Sequence, residues 1–301
     1  MNNSSVRSAK GALVDRERTA AVRTVALFGA GGKMGLRLTA NLARSSYEVR
    51  HVEISEAGRA RLAERGVTPV GVGEALDGAD AVILAVPDNR IGQVLAGIEK
   101  QLRPGTLVVM LDAAAPYAGQ LPPRDDLSYF VTHPCHPPVV GDETDPEAQR
   151  DFFGGVKARQ HIVCALVSGP EEAYAAGEAI ARTIFAPVMN AHRVTLHQMA
   201  ILEPALSETI AATCMKVIAE ATDEAIRLGV PREAARDFIL GHLKVEIGIV
   251  FGLFEGARFS DGALKAIEKA KKAIFQPDWK KVFEPEAIRR SVEDIVNPEP
   301  H

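Results

Sequence analysis

A short segment with two histidines, "YFVTHPCHPPVVGDE", runs from Tyr129 to Glu143. His133 and His136 flank Cys135 in this segment, and prolines stiffen the backbone around them. In a stiff loop both imidazoles can converge on a metal ion or on a substrate, although a metal site needs a further ligand from elsewhere. Because paired loop histidines more often make only hydrogen bonds, three interpretations stay open: a metal site, a catalytic loop and a rigid connector.

A glycine-rich turn, "VALFGAGGKMG", is the second stretch that can do chemistry. It follows an apolar run and precedes an amphipathic segment, so it is expected to join a strand to a helix. Such a turn lets the backbone approach a pyrophosphate, with the first N–H groups of the helix facing the negative charge. The spacing is GxxGxxG rather than GxGxxG, a variant that nicotinamide-dependent enzymes also use. We predict that this turn contacts the cofactor through Gly29, Ala30, Gly31, Gly32, Lys33 and Met34.

Two further strand ends are expected to flank the cofactor. Glu53 ends the strand "EVRHVE", where an acid accepts hydrogen bonds from the adenosine ribose and repels a 2′-phosphate. This favours NAD over NADP; the alternative is a surface acid at a strand end. Val86 and Asp88 end the apolar strand "AVILAVPD" and should lie near the nicotinamide half. Asp88 can equally be the N-cap of the next helix.

Alternating strands and helices must position these residues. Apolar strand patterns at "TVALF", "YEVRHVEIS", "TPV", "DAVILAVPD", "TLVVMLDAA", "LSYFVTHP" and "HIVCALVSG" are separated by helical ones. This order is typical of a parallel sheet covered by helices on both faces. After about residue 190 only helical periodicity remains, in long segments that are apolar around much of their circumference. Such helices are buried within a domain or against a partner chain.

The predicted fold class is therefore α/β: a Rossmann-type parallel sheet with helices on both faces, followed by an all-α domain. The expected divisions are a flexible extension over residues 1–22, an NAD-binding domain over 23–190, and a helical domain over 191–301 for substrate binding and dimerisation. The apolar helices exceed what one small domain can cover, so a homodimer through the helical domain is expected.

Composition argues against several other classes. The 301 residues carry a formal net charge of −4, so neither a nucleic-acid partner nor an anionic membrane partner is expected. Three scattered cysteines form no disulfide framework. No uncharged apolar run reaches the length of about 18 residues that spans a membrane. The first residues lack the apolar core of a secretory signal, and a cytoplasmic enzyme is the expectation.

The motifs resemble those of known oxidoreductases. "GAGGKMG", "ILAVPD" and a helical second half are similar to the 6-phosphogluconate-dehydrogenase-like and ketol-acid-reductoisomerase-like enzymes, and "THPCHP" is similar to the His-Pro segment of prephenate dehydrogenases. From about residue 24 to 296, "GAGGKMG", "FVTHPCHPP", "LEPALSETIA" and "GHLKVEIGIVFG" occur in the order that resembles the D-apionate oxidoisomerase family. The resemblance implies an NAD-dependent enzyme that acts on a small branched sugar acid.

Glu203 is the predicted partner of the histidine segment. It lies in the apolar stretch "HQMAILEPALSE", where a carboxylate is costly to bury unless it is paired or bound to a cation. Pro204 follows and should kink the helix. The alternative is a solvated Glu-Pro in the first turn of a helix that begins later. We predict His133 and Glu203 as ligands of a divalent metal (Zn, Mn or Mg), a cofactor that the implied oxidation and isomerisation would suit.

The proton-transfer residue is left among several candidates. His136 and His242 are the predicted general bases, because an imidazole titrates near neutral pH. His242 can instead be a packed core residue of the helix "FILGHLKVEIGIVF". Lys216, in the apolar "CMKVIAE", is a further candidate, since related hydroxyacid dehydrogenases use a helix lysine.

The resemblance implies a two-part reaction, in which C2 of D-apionate is oxidised and a hydroxymethyl group then migrates to give 3-oxo-isoapionate. Two other functions remain open on the residues alone. One is a metal-free NAD-dependent hydroxyacid or prephenate-type dehydrogenase, in which the histidine segment holds substrate. The other is a redox-sensing regulator that binds NAD without turnover and uses its helices to recruit a partner.

Overall fold

A computed structural model describes residues 22–297 of the chain. The flexible extension predicted for residues 1–22 therefore lies outside the described residues, apart from its last residue. Within residues 22–297 no helix combines the length and the apolar character that a membrane span requires.

The chain divides into two compact units. The α/β unit holds residues 22–138, the segment Glu143–Ala200 and residues 292–297. The helical unit holds Val139–Asp142 and Ile201–Ser291. The α/β unit thus continues ten residues beyond the predicted end at residue 190, because a strand, Val188–Arg193, spans that point and a short helix, Leu196–Ala200, follows it.

A seven-stranded sheet forms the centre of the α/β unit, in the order β2-β1-β3-β4-β5-β6-β7. All neighbouring strands are parallel except β5 and β6. This confirms the predicted fold class of a Rossmann-type sheet. The strands are β1 (Thr24–Phe28), β2 (Glu48–Val52), β3 (Ala81–Leu84), β4 (Leu107–Met110), β5 (Ser128–Pro134), β6 (Gln160–Ser168) and β7 (Val188–Arg193).

Three details of the sheet differ from the sequence prediction. β6 is antiparallel to β5: the segment between them, residues 135–159, contains only a 3₁₀ turn, Ala148–Arg150, and not the helix that usually forms a parallel crossover. β7 was not predicted, since its side chains are only half-buried or exposed and give no apolar run. The stretch "TPV" at 68–70 is not a strand, although Val70 donates a backbone hydrogen bond to His51.

Helices cover both faces of this sheet, and its central strands are fully buried. All side chains of β3 and β4 are buried, as expected for continuous apolar runs between two helical layers. The main apolar cluster joins β1 to the helices on one face through residues such as Leu27, Leu38 and Ile180. The helices of this unit are α1 (Lys33–Leu42), α2 (Glu56–Ala63), α3 (Val72–Leu76), α4 (Asp88–Ile98), α5 (Ala114–Tyr117), α6 (Glu172–Ile184) and α7 (Leu196–Ala200).

The helical unit begins with a π-helix, Ile201–Ala212. A break at Gly229, whose φ is +103°, and Pro231 separates the two long helices, as the sequence predicted. Few side chains of this unit are buried. Its other helices are α8 (Thr213–Arg227), α9 (Arg232–Val250), α10 (Asp261–Ile274) and a 3₁₀ helix, Trp279–Phe283, and the last helix of the chain is α11 (Pro285–Val296).

Candidate functional site

The glycine turn joins β1 to α1 and leaves no room for side chains. Gly29 has a φ of +72°, a conformation that favours glycine. A Cβ on Gly29 would overlap the carbonyl oxygen of Ala85, and one on Gly35 would overlap the carbonyl oxygen of Gly29. Gly32 is the N-cap of α1 and has no side chain to cover the first N–H groups of the helix. The turn therefore has the close packing and the open helix end that a pyrophosphate site requires.

Glu53 follows β2 and is held against this turn. Its Oε2 accepts a hydrogen bond from the N–H of Gly31 at 2.9 Å, and its Oε1 accepts from the N–H and the hydroxyl of Ser55, both at 2.8 Å. Burial opposes ionisation, but these hydrogen bonds outweigh it and lower the pKa of Glu53 below its usual value. A fixed, ionised carboxylate therefore lies beside the glycine turn, and its role at the adenosine ribose stays a prediction.

Two residues of α2, Gly58 and Arg61, also hold Glu53 and the glycine turn in place, and neither is predicted from the sequence. A Cβ on Gly58 would overlap the side chain of Glu53, and a Cβ on Gly31 would overlap the backbone of Gly58. α2 therefore packs on the turn only because it carries glycine there. Arg61, on the same helix, donates from Nε to the carbonyl oxygen of Gly31 at 2.8 Å. Neither residue has a local sequence signal, because each acts through packing between separate segments.

The end of β3 lies next to the same turn. A Cβ on Gly29 would come within 3.1 Å of Cγ1 of Val86, so Val86 borders the predicted cofactor position. Asp88 is the first residue of α4, and Pro87 occupies the N-cap position. Of the two interpretations left open for Asp88, the N-cap is therefore wrong. A carboxylate in the first turn of a helix is favoured by the helix dipole.

His133 lies near the end of β5, at the carboxyl edge of the sheet. Its Nδ1 donates to the carbonyl oxygen of Leu111 at 2.9 Å, so the neutral ring carries its lone pair on Nε2. Burial lowers the pKa of His133, which keeps the imidazole neutral near pH 7. A neutral ring oriented by a carbonyl at Nδ1 is the usual state of a histidine that binds a metal through Nε2.

Asp112 is brought beside His133 by the register of the sheet. Met110 of β4 pairs with Val131 of β5, so the residues two positions further along each strand are neighbours. One carboxylate oxygen of Asp112 lies within 4.8 Å of a ring nitrogen of His133. Asp112 is not among the residues predicted from the sequence, although an acid two residues beyond a buried strand is a signal that could find it.

His136 lies beside His133, with ring centroids 6.2 Å apart and nearly perpendicular planes. Its Nδ1 donates to the carbonyl oxygen of Phe153 at 2.9 Å, which again leaves the lone pair of the neutral ring on Nε2. Cys135 between them is exposed, and partial burial of its thiol raises the pKa of Cys135. The rings of His133 and His136 therefore lie next to each other, edge to face. The Cys135 thiol, with its raised pKa, is not activated as a nucleophile.

Glu203 is the third residue of the π-helix and is partly buried. Pro204 follows it, and the carbonyl oxygen of Pro204 accepts a hydrogen bond from the hydroxyl of Thr209 at 2.6 Å. The sequence predicted a kinked helix here; the structure has a widened helix of twelve residues instead. π-Helical turns occur often at functional sites.

The other two predicted catalytic residues lie on the helical unit. His242 is exposed on α9, where its Nδ1 donates to the carbonyl oxygen of Phe238 at 2.8 Å and its ring stacks on the Phe238 ring at 3.9 Å. Lys216 is exposed on α8. Their catalytic roles remain predictions.

Two family models match the chain. The model "Phosphogluconate dehydrogenase (decarboxylating) C-term" matches residues 141–296, and "NADP oxidoreductase coenzyme F420-dependent" matches residues 24–116. The chain is also 58% identical over 273 residues to the D-apionate oxidoisomerase of Rhizobium rhizogenes strain K84, covering 90% of this chain and 99% of that protein. It is 56% identical over 273 residues to the D-apionate oxidoisomerase of Cupriavidus necator strain N-1, with the same coverage of both chains.

The chain belongs to the D-apionate oxidoisomerase family.

The chain is also similar to a solved structure. A semialdehyde dehydrogenase NAD-binding protein from Cupriavidus necator, in complex with calcium and NAD, is 55% identical to this chain with a TM-score of 0.89. The match covers 91% of this chain and all of that one. Membership confirms the resemblance drawn from the motifs and makes the chain an enzyme of the NAD-dependent oxidoreductase class acting on CH–OH groups. The alternative of a non-enzymatic regulator is not supported.

Proposed function

We propose that the protein oxidises D-apionate with NAD and rearranges the product to 3-oxo-isoapionate, with the help of a divalent cation. The observation that carries this proposal is the Asp112–His133 pair with His136 beside it, at the carboxyl edge of the sheet that carries the dinucleotide turn. The names of the curated relatives supply the substrate class.

NAD, rather than NADP, fits the end of β2. The carboxylate of Glu53 is ionised and fixed by three hydrogen bonds, so a 2′-phosphate at this position would be repelled. Arg59 donates from Nε to the carbonyl oxygen of Glu53 at 2.8 Å, and Arg61 similarly bonds Gly31, so both guanidinium groups are held by backbone oxygens. The solved relative contains NAD. One matching family model is named for NADP, and the position of Glu53 is the reason to propose NAD here.

A divalent cation fits the donor set at the end of β5. An oriented, neutral imidazole and a carboxylate within 4.8 Å offer the mixed nitrogen and oxygen ligands that Zn, Mn or Mg accept to different degrees. The solved relative contains calcium, which prefers oxygen ligands. When bound, such a cation would polarise the substrate ketone and stabilise an alkoxide, while NAD would accept the hydride from C2.

Glu203 is proposed as a further ligand. It is partly buried in an apolar stretch of the π-helix, where a carboxylate is costly to bury unless it is paired or bound to a cation. π-Helical segments also occur often at functional sites. These two features support Glu203 as a ligand.

His136 is proposed as the general base. The hydrogen bond from Nδ1 to Phe153 leaves its Nε2 able to accept the proton of a substrate hydroxyl. His242 and Lys216 are the alternatives, but His136 is the candidate whose ring contacts His133. During rearrangement the tertiary hydroxyl at C3 must lose its proton before the hydroxymethyl group migrates, and this is the proton that His136 would hold.

NADH formation with a panel of sugar acids tests the proposed function. D-Apionate should be oxidised, and carbon NMR of the product should show the rearranged skeleton rather than a simple 2-keto acid. His133→Gln should lower kcat about a hundred- to a thousandfold. His192→Gln, at an exposed position on β7, is the matched control and should leave kcat unchanged. A product with an unrearranged skeleton would instead support a simple hydroxyacid dehydrogenase, and no oxidation of any sugar acid would reject the proposal.

A homodimer through the helical unit is also proposed. Large apolar side chains are exposed along α9, among them Phe238 (66%), Leu240 (60%) and Val250 (64%). An open groove of about 450 Å³ between α8 and α9 is lined mainly by apolar residues. A monomer seldom exposes so much contiguous apolar surface, and a second copy of the chain is the proposed cover. Light scattering at micromolar concentration should give twice the chain mass; a monomer would contradict this. A cytoplasmic location stays a prediction.

A further inference from the structure

His136 has a backbone conformation that needs support from its surroundings. Its φ is +61°, and it is the one non-glycine residue among residues 22–297 with a positive φ. Such a conformation costs free energy for a residue with a side chain and persists where neighbouring contacts hold it. The hydrogen bond from Nδ1 of His136 to the carbonyl oxygen of Phe153 is a contact of this kind, and it also fixes the ring orientation.

The segment that carries Phe153 is itself firmly held. One carboxylate oxygen of Asp151 accepts hydrogen bonds from the N–H groups of Val156, Lys157 and Ala158, at 3.1, 2.9 and 3.2 Å. Gly154 and Gly155, next along the chain, have φ values of +70° and +79°. We call this segment, residues 151–158, the bracket. Its turn geometry is fixed by the hydrogen bonds to the Asp151 carboxylate, so the Phe153 carbonyl has little freedom.

Two side chains of α1 attach the bracket to the dinucleotide turn. Asn41 donates from Nδ2 to the carbonyl oxygen of Gly155 at 2.9 Å, and the guanidinium carbon of Arg37 lies 4.7 Å from the centre of the Phe153 ring. The Phe153 ring also meets the His136 ring edge to face at 5.9 Å. α1 is the helix that begins at the glycine turn. A continuous row of contacts therefore runs from α1 through Arg37 and Phe153 to His136.

Phe153 is 60% exposed, so burial alone does not explain an aromatic side chain at this position. A guanidinium stacked on an aromatic face stabilises the position of the ring, and the stacked Phe153 ring lies against His136. We infer that Phe153 and Arg37 are positioning residues, which orient the His136 imidazole for proton transfer and tie it to the helix that binds the dinucleotide. This inference rests on the proposed function, because it assigns His136 a role in that reaction.

Steady-state kinetics of Phe153→Leu test the inference, with Phe152→Leu as the matched control. Phe152 is the neighbouring residue on the same bracket and is 81% exposed. Phe153→Leu should lower kcat about tenfold with little change in KM for NAD, because a misdirected base slows proton transfer without altering dinucleotide binding. Phe153→Tyr, which keeps the aromatic ring, should restore kcat to within about twofold, and Phe152→Leu should leave it unchanged. Arg37→Met should lower kcat in the same direction as Phe153→Leu.

A second readout does not depend on turnover. In ¹⁵N NMR spectra of the imidazoles, recorded with the neutral ring, wild-type His136 should show a single tautomer with the proton on Nδ1. Phe153→Leu should mix the tautomers of His136 and leave the His133 signals unchanged. An unaltered His136 signature in both Phe153→Leu and Arg37→Met would overturn the inference, as would unchanged kcat. If no sugar acid is oxidised by the wild type, the proposed function fails separately, and the NMR result still decides the positioning of His136.

Discussion

The dinucleotide turn and the histidine segment are built in opposite ways, although both belong to the α/β unit. Backbone packing defines the turn: added Cβ atoms on Gly29, Gly31 and Gly35 would overlap neighbouring backbone atoms. Side-chain hydrogen bonds define the histidine segment, where His133 bonds the carbonyl of Leu111 and His136 that of Phe153. The first site depends on the absence of side chains, and the second on their orientation.

This difference indicates how each site should respond to change. A site made by backbone contact has no alternative arrangement, so small additions disrupt both binding and folding. A site made by oriented side chains can lose its chemistry while the fold persists, because each hydrogen bond contributes only about 1 kcal/mol to stability. Substitutions in the two regions should therefore separate cofactor binding from catalysis.

The largest effect is expected from Gly35→Ala. The new Cβ would overlap the carbonyl oxygen of Gly29, so the turn must shift. We expect a loss of about 3 kcal/mol in the free energy of unfolding and at least about a hundredfold weaker NAD binding. Gly97→Ala, on α4, is the matched control, because no atom lies within 4 Å of its added Cβ. Chemical denaturation and calorimetry measure both quantities; an unaffected Gly35→Ala would contradict the close packing of the turn.

His133→Gln should separate the two regions most clearly. It removes the proposed metal ligand and leaves the glycine turn intact. We expect kcat to fall about a hundred- to a thousandfold, while the Kd for NAD changes less than about twofold. Asp112→Asn should act in the same direction. If His133→Gln weakens NAD binding as much as it lowers kcat, the two regions are not independent and the comparison is wrong.

Glu53→Gln should give an intermediate effect on cofactor choice. Loss of the charge removes the repulsion of a 2′-phosphate, so the preference for NAD over NADP should fall about tenfold, or ~1.4 kcal/mol. The pKa of Glu53 is lowered in the folded protein, so the stability it contributes at neutral pH is lost as pH falls through that pKa. In Glu53→Gln this part of the free energy of unfolding should no longer fall as the pH is lowered. Initial rates with each cofactor and unfolding curves at several pH values measure both effects.

Cys135→Ser should have the smallest effect. The thiol lies between the two histidines, but its raised pKa leaves it protonated near pH 7, and the proposed reaction needs no sulfur nucleophile. We expect kcat to stay within about twofold of the wild type. A loss beyond tenfold would place a thiolate in the mechanism and change the assignment of the histidine segment.

Local patterns were sufficient to predict the parts of the fold that depend on local physics. The glycine turn, the buried strand β3 and the break at Pro231 each follow from residue type and spacing, and the structure has them at the expected places. β6 runs antiparallel to β5, and the segment before it lacks a crossover helix. No residue pattern within β6 itself reveals its direction. β7 has only half-buried or exposed side chains and gives too weak an apolar signal.

The candidate site could likewise be predicted only in part from the sequence. His133 and His136 were selected because their types are rare and their spacing is short. Asp112 was missed because its relation to His133 depends on strand register, which is set by pairing between segments that are distant in the chain. Phe153 was missed because it reaches His136 from a segment 17 residues further along the chain, through its backbone carbonyl and through its ring. Neither contact leaves a pattern in the local sequence.

Removal and return of a divalent cation test the central claim most directly. The enzyme is treated exhaustively with chelator, and D-apionate oxidation and NAD binding are then measured on the same sample, before and after Mn²⁺ is added back. We predict that oxidation is lost and then restored, while the Kd for NAD stays constant throughout. Full oxidation after chelation would contradict the proposed role of Asp112, His133 and Glu203.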